Sequence, residues 1–205
     1  MPHTPRKTQR ESLYSVHPAF AYQESIIANL KEKTGKTLEE WMRVLKQSRP
    51  GTRKERAAWL KRQHQLGTGT AMLIAERAEG KGSAEDYDPE AMVEAMFAGP
   101  RQALRPIYAE LLRLGLQLGK DVKACPCKTI VPLYRQHVFA EIKPATQTRL
   151  DLGLALAKTK PAGRLVSTGR LAKGDRITHR IPITTLAEID PEVKRWLQAA
   201  YDLDA

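Results

Sequence analysis

The sequence lacks the features that would place it in a secreted or membrane class. It has two cysteines in 205 residues, and these stand one residue apart, at Cys125 and Cys127, so they cannot form the disulfide framework of a small secreted protein. No run approaches the roughly 18 apolar residues of a membrane-spanning helix. Residues 1–12 are polar and basic, without the apolar centre of a signal peptide. We therefore expect a soluble, cytoplasmic protein with no membrane partner.

The sequence also lacks the short motifs that carry known chemistry, including the nucleophile elbow, the His-Glu-x-x-His zinc pattern and the dinucleotide fingerprint. A closed zinc site takes about four ligands with recognisable spacing. Cys125 and Cys127 supply two, while His137 and His179 follow no such spacing. We expect structural thiols, and a core or cleft His179 hydrogen-bonded to a neighbour. The sequence predicts no cofactor and no metal, and it favours a protein that is not an enzyme.

Positive charge is what the sequence has in excess. There are 34 Lys and Arg against 23 Asp and Glu, a net charge of +11. Residues 101–180 alone carry 16 basic and 5 acidic side chains, whereas residues 84–100 carry five acidic and no basic ones. Clustered cations raise the local potential and release counterions from nucleic acid. A solvated basic surface is the alternative, so the sequence favours an anionic partner, nucleic acid among the candidates, without requiring one.

The first 80 residues have helical periodicity. Thr37 with Glu40 is a capping-box signature before an apolar stripe, and Thr52 with Glu55 repeats it. The later part changes to an alternating period in three segments and then ends in a helix, so the predicted fold class is α+β with an antiparallel sheet. The expected organisation is a disordered basic tail (1–14), an all-α helical domain (15–80), a linker (81–87) and an α+β domain (88–205).

Charge also predicts the register of the central hairpin. Placing Glu141 opposite Arg149 puts Ala140 opposite Leu150, so that charges pair on one face and apolar residues on the other. A slip of two residues would set Lys143 against Arg149, which is repulsive. We therefore predict a Glu141–Arg149 pair across the strands.

Two groups of segments resemble known families. The first group is 15–18 (SVHP), 33–37 (KTGKT), 66–69 (LGTG) and 75–78 (AERA). The second group is 103–108 (ALRPIY), 137–144 (HVFAEIKP), 174–180 (GDRITHR) and 199–203 (AAYDL). Together they resemble an uncharacterised bacterial two-domain family, a helical domain of unknown function joined to an α+β domain of unknown function. The resemblance implies that the second domain also occurs attached to predicted DNA-modification or restriction-type proteins, and it implies no catalytic residue.

A glycine-rich basic loop is the most suggestive candidate site. Glycines let backbone N–H groups approach an anion, and Ser167 and Thr168 add hydroxyl donors. The alternative is a mobile, solvated loop. The expected anion-binding residues are Lys158, Lys160, Arg164, Arg170, Lys173, Arg176 and Arg180.

Residues 52–79 look like a helix–turn–helix, with Lys54, Lys61 and Arg62 on a basic face of the third helix. However, Glu76 and Glu79 make the fourth helix a poor recognition surface, so simple helical packing is the alternative.

Three further interpretations remain open beside a non-enzymatic binding module. One is a metal-dependent nuclease or phosphodiesterase, whose bare pattern is matched by Asp121, Glu141 and Lys143. The alternative role for Glu141 is the predicted salt bridge to Arg149. The acidic segment 84–94 fits a solvated linker and helix start, or an iron-binding ridge. A groove between the domains would suit a protein-interaction or small-ligand module.

Overall fold

A computed structural model of the protein describes residues 12–48, 51–169 and 175–205. The chain forms two compact units: Val16–Tyr87, and residues 12–15 together with Asp88–Ala205. Within the described ranges, no helix combines the length and the apolar character needed to cross a membrane.

The first unit is helical. Its helices are α1 (Ala19–Ala28), α2 (Leu30–Thr34), α3 (Leu38–Ser48), α4 (Arg53–His64) and α5 (Thr68–Arg77). Both predicted capping boxes are present: the Thr37 amide donates to Glu40 at 2.7 Å, and the Thr52 amide donates to Glu55 at 2.7 Å. Each helix from α2 to α5 contributes to the core, which includes Leu30, Trp41, Leu45, Leu60 and Ile74.

The second unit begins with α6 (Pro89–Met96) and α7 (Arg105–Gln117) and ends with α8 (Pro191–Asp202). Asp88 and Asp190 cap α6 and α8 through their side chains, with a proline at the next position, as the sequence predicts. The strands between them are β1 (Lys123–Ala124), β2 (Val131–Tyr134), β3 (Val138–Pro144), β4 (Leu150–Leu154), β5 (Val166–Ser167) and β6 (His179–Ile183). They form one antiparallel sheet in the order β1-β2-β3-β4-β6-β5, which confirms the α+β class.

The predicted hairpin register is wrong. In the structure Glu141 lies opposite Gly153, and Lys143 lies opposite Asp151. This register keeps Ile142 opposite Leu152 on the core side and closes the hairpin with the short turn in which the Ala145 amide donates to the Arg149 carbonyl. The register is shifted by four residues from the expected pairing. The opposite charges that face each other across the two strands are therefore those of Lys143 and Asp151 instead of Glu141 and Arg149.

Two expected boundaries also differ. Tyr14, expected in the disordered tail, packs on the second unit, and its hydroxyl lies 2.8 Å from that of Tyr108; residues 1–11 lie outside the described residues. In the expected linker, Ala84–Asp86 forms a 3₁₀ turn capped by Ser83, and the Tyr87 ring packs 5.4 Å from that of Phe20. Local capping and an aromatic contact thus fold this segment onto the first unit.

Candidate functional site

The two faces of the sheet differ in chemistry. Side chains alternate between the faces of a strand, and the residues that join the helices in the core are Ala140, Ile142, Leu150, Leu152, Leu154, Ile181 and Ile183. The residues between them, on the other face, are Glu141, Asp151, Gly153 and Pro182. The register sets Glu141, Gly153 and Arg180 in one row across β3, β4 and β6, and Lys143 beside Asp151 in the next.

A cavity of about 240 Å³ lies on the face of the sheet that carries Glu141, Gly153 and Arg180. It is lined by Glu141, Lys143, Asp151, Gly153, Thr168, Ile177 and Arg180. All of these belong to strands or to the segment between β5 and β6, and none to a helix. The cavity therefore brings two carboxylates, two cations and a hydroxyl to one concave site.

Asp151 is the centre of the charge cluster. Its side chain is almost fully buried, and it accepts hydrogen bonds from Arg149 at 2.9 Å and from Arg180 at 2.6 Å. Lys143 stands opposite it on β3 and is exposed. Both carboxylate oxygens of Asp151 are thus engaged by guanidinium groups, which fixes the two arginines beside it.

Glu141 is the group in the cavity that lacks such partners. It is only partly exposed, and none of the hydrogen bonds within the described residues involves its carboxylate. Burial raises the pKa of Glu141 above its ordinary value; Lys143 opposes this increase, while Asp175 and Asp151 add to it. A carboxylate in this situation is a strong acceptor without a donor.

The expected nuclease trio does not come together. Glu141 and Lys143 share the cavity, but Asp121 does not line it. Asp121 instead accepts a hydrogen bond from Arg135 at 2.8 Å and from the Tyr201 hydroxyl at 2.9 Å. The carboxylate that lines the cavity with Glu141 is Asp151, from the neighbouring strand.

The expected anion-binding residues are dispersed. Arg164 pairs with Asp190 at 2.7 Å and with Glu192 at 3.4 Å, and so ties the β4–β5 connection to the start of α8. Arg176 pairs with the buried Asp204 at 2.8 Å. Of the other predicted residues, Arg180 lines the cavity, Lys158 and Lys160 are exposed on the loop, and Arg170 and Lys173 lie outside the described residues.

The predicted basic face of the helical unit is present on α4. Lys54, Lys61 and Arg62 are exposed and form no ion pair with a described carboxylate. The neighbouring cations face α5 instead, where Arg53 pairs with Glu76 at 2.9 Å. Glu76 therefore contacts α4 rather than solvent alone, while Leu60 and Ile74 pack the two helices in one core.

The described thiols and imidazoles show no metal-site geometry. Burial raises the pKa of Cys125 to about 11, and burial together with the charge of Glu141 raises that of Cys127. His179 is buried, and its Nδ1 lies 2.8 Å from the Thr178 hydroxyl, which confirms a core histidine. In residues 12–48, 51–169 and 175–205, no three His, Cys, Asp or Glu side chains are grouped so that they could hold a metal ion.

The acidic segment serves local structure. Asp86 completes the capping box of the 3₁₀ turn that follows Ser83, and Asp88 caps the start of α6. Glu94 pairs with Arg105. Each of these carboxylates thus has a structural partner.

A second cavity, of about 630 Å³, lies beside α7 and the N-terminal segment. Its wall is mostly apolar and includes Tyr14, Tyr108, Leu112 and Leu116. Its apolar wall does not suit a polyanion.

Sequence reasoning missed Asp151, Gly153 and Arg149. One signal was available, because the alternation of Leu150, Leu152 and Leu154 places Asp151 and Gly153 on the opposite face. A glycine within a strand also indicates close approach of another group.

The fold and the cavity define a two-unit protein whose α+β unit has a mixed-charge site on its sheet. Residues 93–204 match the family described as Domain of unknown function (DUF5655), and residues 23–80 match the one described as Domain of unknown function (DUF4287). The first match covers more than half of the chain, so the protein belongs to the DUF5655 family. The resemblance to a two-domain family is confirmed. No curated protein and no solved structure matches the chain.

Proposed function

We propose that the α+β unit is a non-enzymatic binding module for nucleic acid, and that the cavity face of its sheet contacts the phosphates. One observation carries the proposal: Lys143, Arg149 and Arg180 are gathered around a single buried carboxylate, Asp151. Phosphate groups are the anions that such a constellation suits, because guanidinium and ammonium groups donate several charge-assisted hydrogen bonds to them.

The two arginines are held ready for a ligand. A guanidinium has five N–H donors, and Asp151 occupies only some of them. Arg180 and Arg149 remain about 39% and 35% exposed while bound to Asp151. Because the pairs already restrict these side chains, less rotamer freedom is lost when a phosphate binds.

The lysines of this unit supply the unpaired charge. Those within its described residues are exposed and form no ion pair with a described carboxylate: Lys120, Lys123, Lys128, Lys143, Lys158, Lys160 and Lys194. By contrast, the arginines are largely committed to carboxylates. A net positive, lysine-rich surface around fixed arginines favours a polymer of phosphates over a single small anion.

The proposal fits a bacterial cytoplasmic protein. Both cysteines are described, and they form no disulfide, as expected in a reducing compartment.

Binding of the full-length protein to mixed-sequence nucleic acid over a range of salt concentrations tests the proposal. We expect the logarithm of the association constant to fall linearly with the logarithm of the salt concentration. Lys143→Gln should weaken binding and reduce that slope by about one. Lys33→Gln makes the same charge change at an exposed position on α2, in the first unit, and is the matched control. No binding at low salt, or equal losses in the two variants, would overturn the proposal.

A metal-dependent phosphodiesterase is the second candidate. The observation that favours it is the shared cavity of Glu141, Lys143 and Asp151. It requires Asp151 to exchange a guanidinium for a metal ion, which makes it the less direct interpretation. Magnesium-dependent cleavage of nucleic acid that Glu141→Ala abolishes would favour the enzyme over the binding module.

A further inference from the structure

We infer that Glu141 accepts a hydrogen bond from a ribose 2′-hydroxyl, so that the cavity prefers RNA to DNA. The inference rests on the proposed function and deepens it, because it names the nucleic acid. It is carried by the position of Glu141 among the cations of the cavity.

The first step is that Glu141 requires a donor. Its side chain and that of Ile177 both lie above the Cα of Gly153, and no described residue donates a hydrogen bond to its carboxylate. The hydroxyl in the cavity is already used, since Thr168 donates to the Ile177 and Thr178 carbonyls. A partly buried acceptor that the protein leaves without a donor is a position for a ligand donor.

The second step is that the donor is uncharged. A metal ion at Glu141 would lack further ligands, because Asp151 is paired with Arg149 and Arg180 and no three described His, Cys, Asp or Glu side chains are grouped to hold one. A ligand ammonium group would approach Lys143, which forms no ion pair with a described carboxylate and would repel it. A neutral N–H or O–H donor meets no such repulsion, and Lys143 and Arg180 would attract a phosphate attached to that donor.

The third step identifies the donor. In RNA the 2′-hydroxyl and the 3′-phosphate are carried by adjacent carbons of the ribose ring, whereas the donor edges of the bases lie farther from the phosphate. A cavity of about 240 Å³ that holds both Glu141 and the cations therefore fits a sugar–phosphate unit. A carboxylate that accepts from a ribose hydroxyl is established chemistry for distinguishing nucleotides.

DNA presents a phosphate but no donor at this position. The Glu141 carboxylate then loses water on binding without gaining a hydrogen bond. The cavity thus discriminates because the ribose satisfies this acceptor, whereas the deoxyribose leaves it unsatisfied.

Three single-stranded probes of one sequence, composed of A, C and G only, test the inference with the full-length protein: RNA, DNA and 2′-O-methyl RNA. The methylated probe keeps the ribose but cannot donate. We expect RNA to bind about tenfold more tightly than DNA, as one charge-assisted hydrogen bond provides, and 2′-O-methyl RNA to bind like DNA or more weakly. Equal affinities for RNA and 2′-O-methyl RNA would overturn the inference without requiring any variant.

The variant Glu141→Ala should bring the affinity for RNA down to that for DNA, while the affinity for DNA stays the same or rises. Glu85→Ala removes a carboxylate from an exposed position of the first unit and should preserve the preference. Salt-dependent binding without an RNA preference would leave the proposed function in place and remove the role of Glu141. No binding to any probe would remove the proposed function itself.

Discussion

Gly153 lies directly opposite Glu141 on the neighbouring strand, and the space above its Cα holds the Glu141 side chain. A Cβ at position 153 would stand 2.6 Å from Glu141 Cγ and 2.8 Å from Ile177 Cγ2. These separations are shorter than side chains tolerate. The glycine thus makes the floor of the cavity and sets where the carboxylate lies.

Gly153→Ala tests this relationship. We expect it to lower the free energy of unfolding by about 2 kcal/mol, because the added methyl overpacks the site, and to displace the Glu141 carboxylate. Urea denaturation measures the first effect. Combining the change with Glu141→Ala removes one of the two contacts, so the double variant should lose less stability than the sum of the single losses.

Gly69→Ala is the matched control, because nothing lies within 4 Å of a Cβ at that position on α5. It should be neutral or stabilise the protein by up to about 1 kcal/mol. A Gly153→Ala protein as stable as this control would contradict the close packing.

Glu141 gives the stability of the protein a characteristic pH dependence. Burial raises its pKa in the folded state above the ordinary value of 4.5. Between the two values the folded state binds more protons than the unfolded state, so its stability falls as the pH rises. Among the residues that the structure describes, the charged or titratable groups near it are Lys143, Asp151, Asp175, Arg180 and Cys127.

Glu141→Gln removes this titration. We expect the melting temperature of the variant to rise relative to that of the wild type as the pH increases from 4 to 7. This difference should begin to grow near the ordinary pKa of 4.5. Glu192→Gln should show the opposite sign in a lower pH window, because hydrogen bonds from the Arg164 backbone and side chain hold the pKa of Glu192 below its usual range. Its melting temperature should fall relative to that of the wild type as the pH rises toward 4.5, and the difference should stay constant above that value. A pH-independent difference for Glu141→Gln would show that its carboxylate is not penalised by burial.

The sequence predicts those features of the fold that depend on residues close together in the chain, namely helix caps and strands. The Thr52–Glu55 capping box and the helix starts at Asp88 and Asp190 depend on groups three residues apart, so the pattern contains both partners. The alternation of apolar residues likewise identified β3, β4 and β6 and the α+β class. These features depend on neighbours in sequence.

The register and the site depend on distant partners. Charge and the apolar face of the hairpin predict a Glu141–Arg149 pair, but in the structure Asp151 binds Arg149 and also Arg180, which is 29 residues away. Arg164 was assigned to an anion because its carboxylate partners lie more than 25 residues downstream on the start of α8. Composition reveals how many cations exist, but only the fold shows which are already neutralised.

Arg164 should therefore act on stability rather than on ligand binding. Arg164→Ala removes the ion pairs to Asp190 and Glu192 and a hydrogen bond to the Glu188 carbonyl at 2.9 Å. We expect a loss of about 1 to 2 kcal/mol, since the group is partly solvated and hydrogen bonds to charged groups contribute on this scale. Urea denaturation of Arg164→Ala beside Lys158→Ala, an exposed position on the same loop, measures it. A loss of nucleic-acid affinity without a loss of stability would instead return Arg164 to the binding surface.

Asp204 connects the C-terminal residues to the segments that precede β3 and β6. Its buried carboxylate accepts a hydrogen bond from the His137 amide at 2.8 Å and from Arg176 at 2.8 Å, just beyond the end of α8. Removing one member of a buried, hydrogen-bonded ion pair leaves the remaining groups unsatisfied. Asp204→Ala should therefore lower the free energy of unfolding by about 3 kcal/mol. Asp202→Ala, two residues earlier and exposed, should change it by no more than about 0.5 kcal/mol. Unfolding at the same urea concentration in the two variants would mean that the C-terminal residues do not hold α8 against β3.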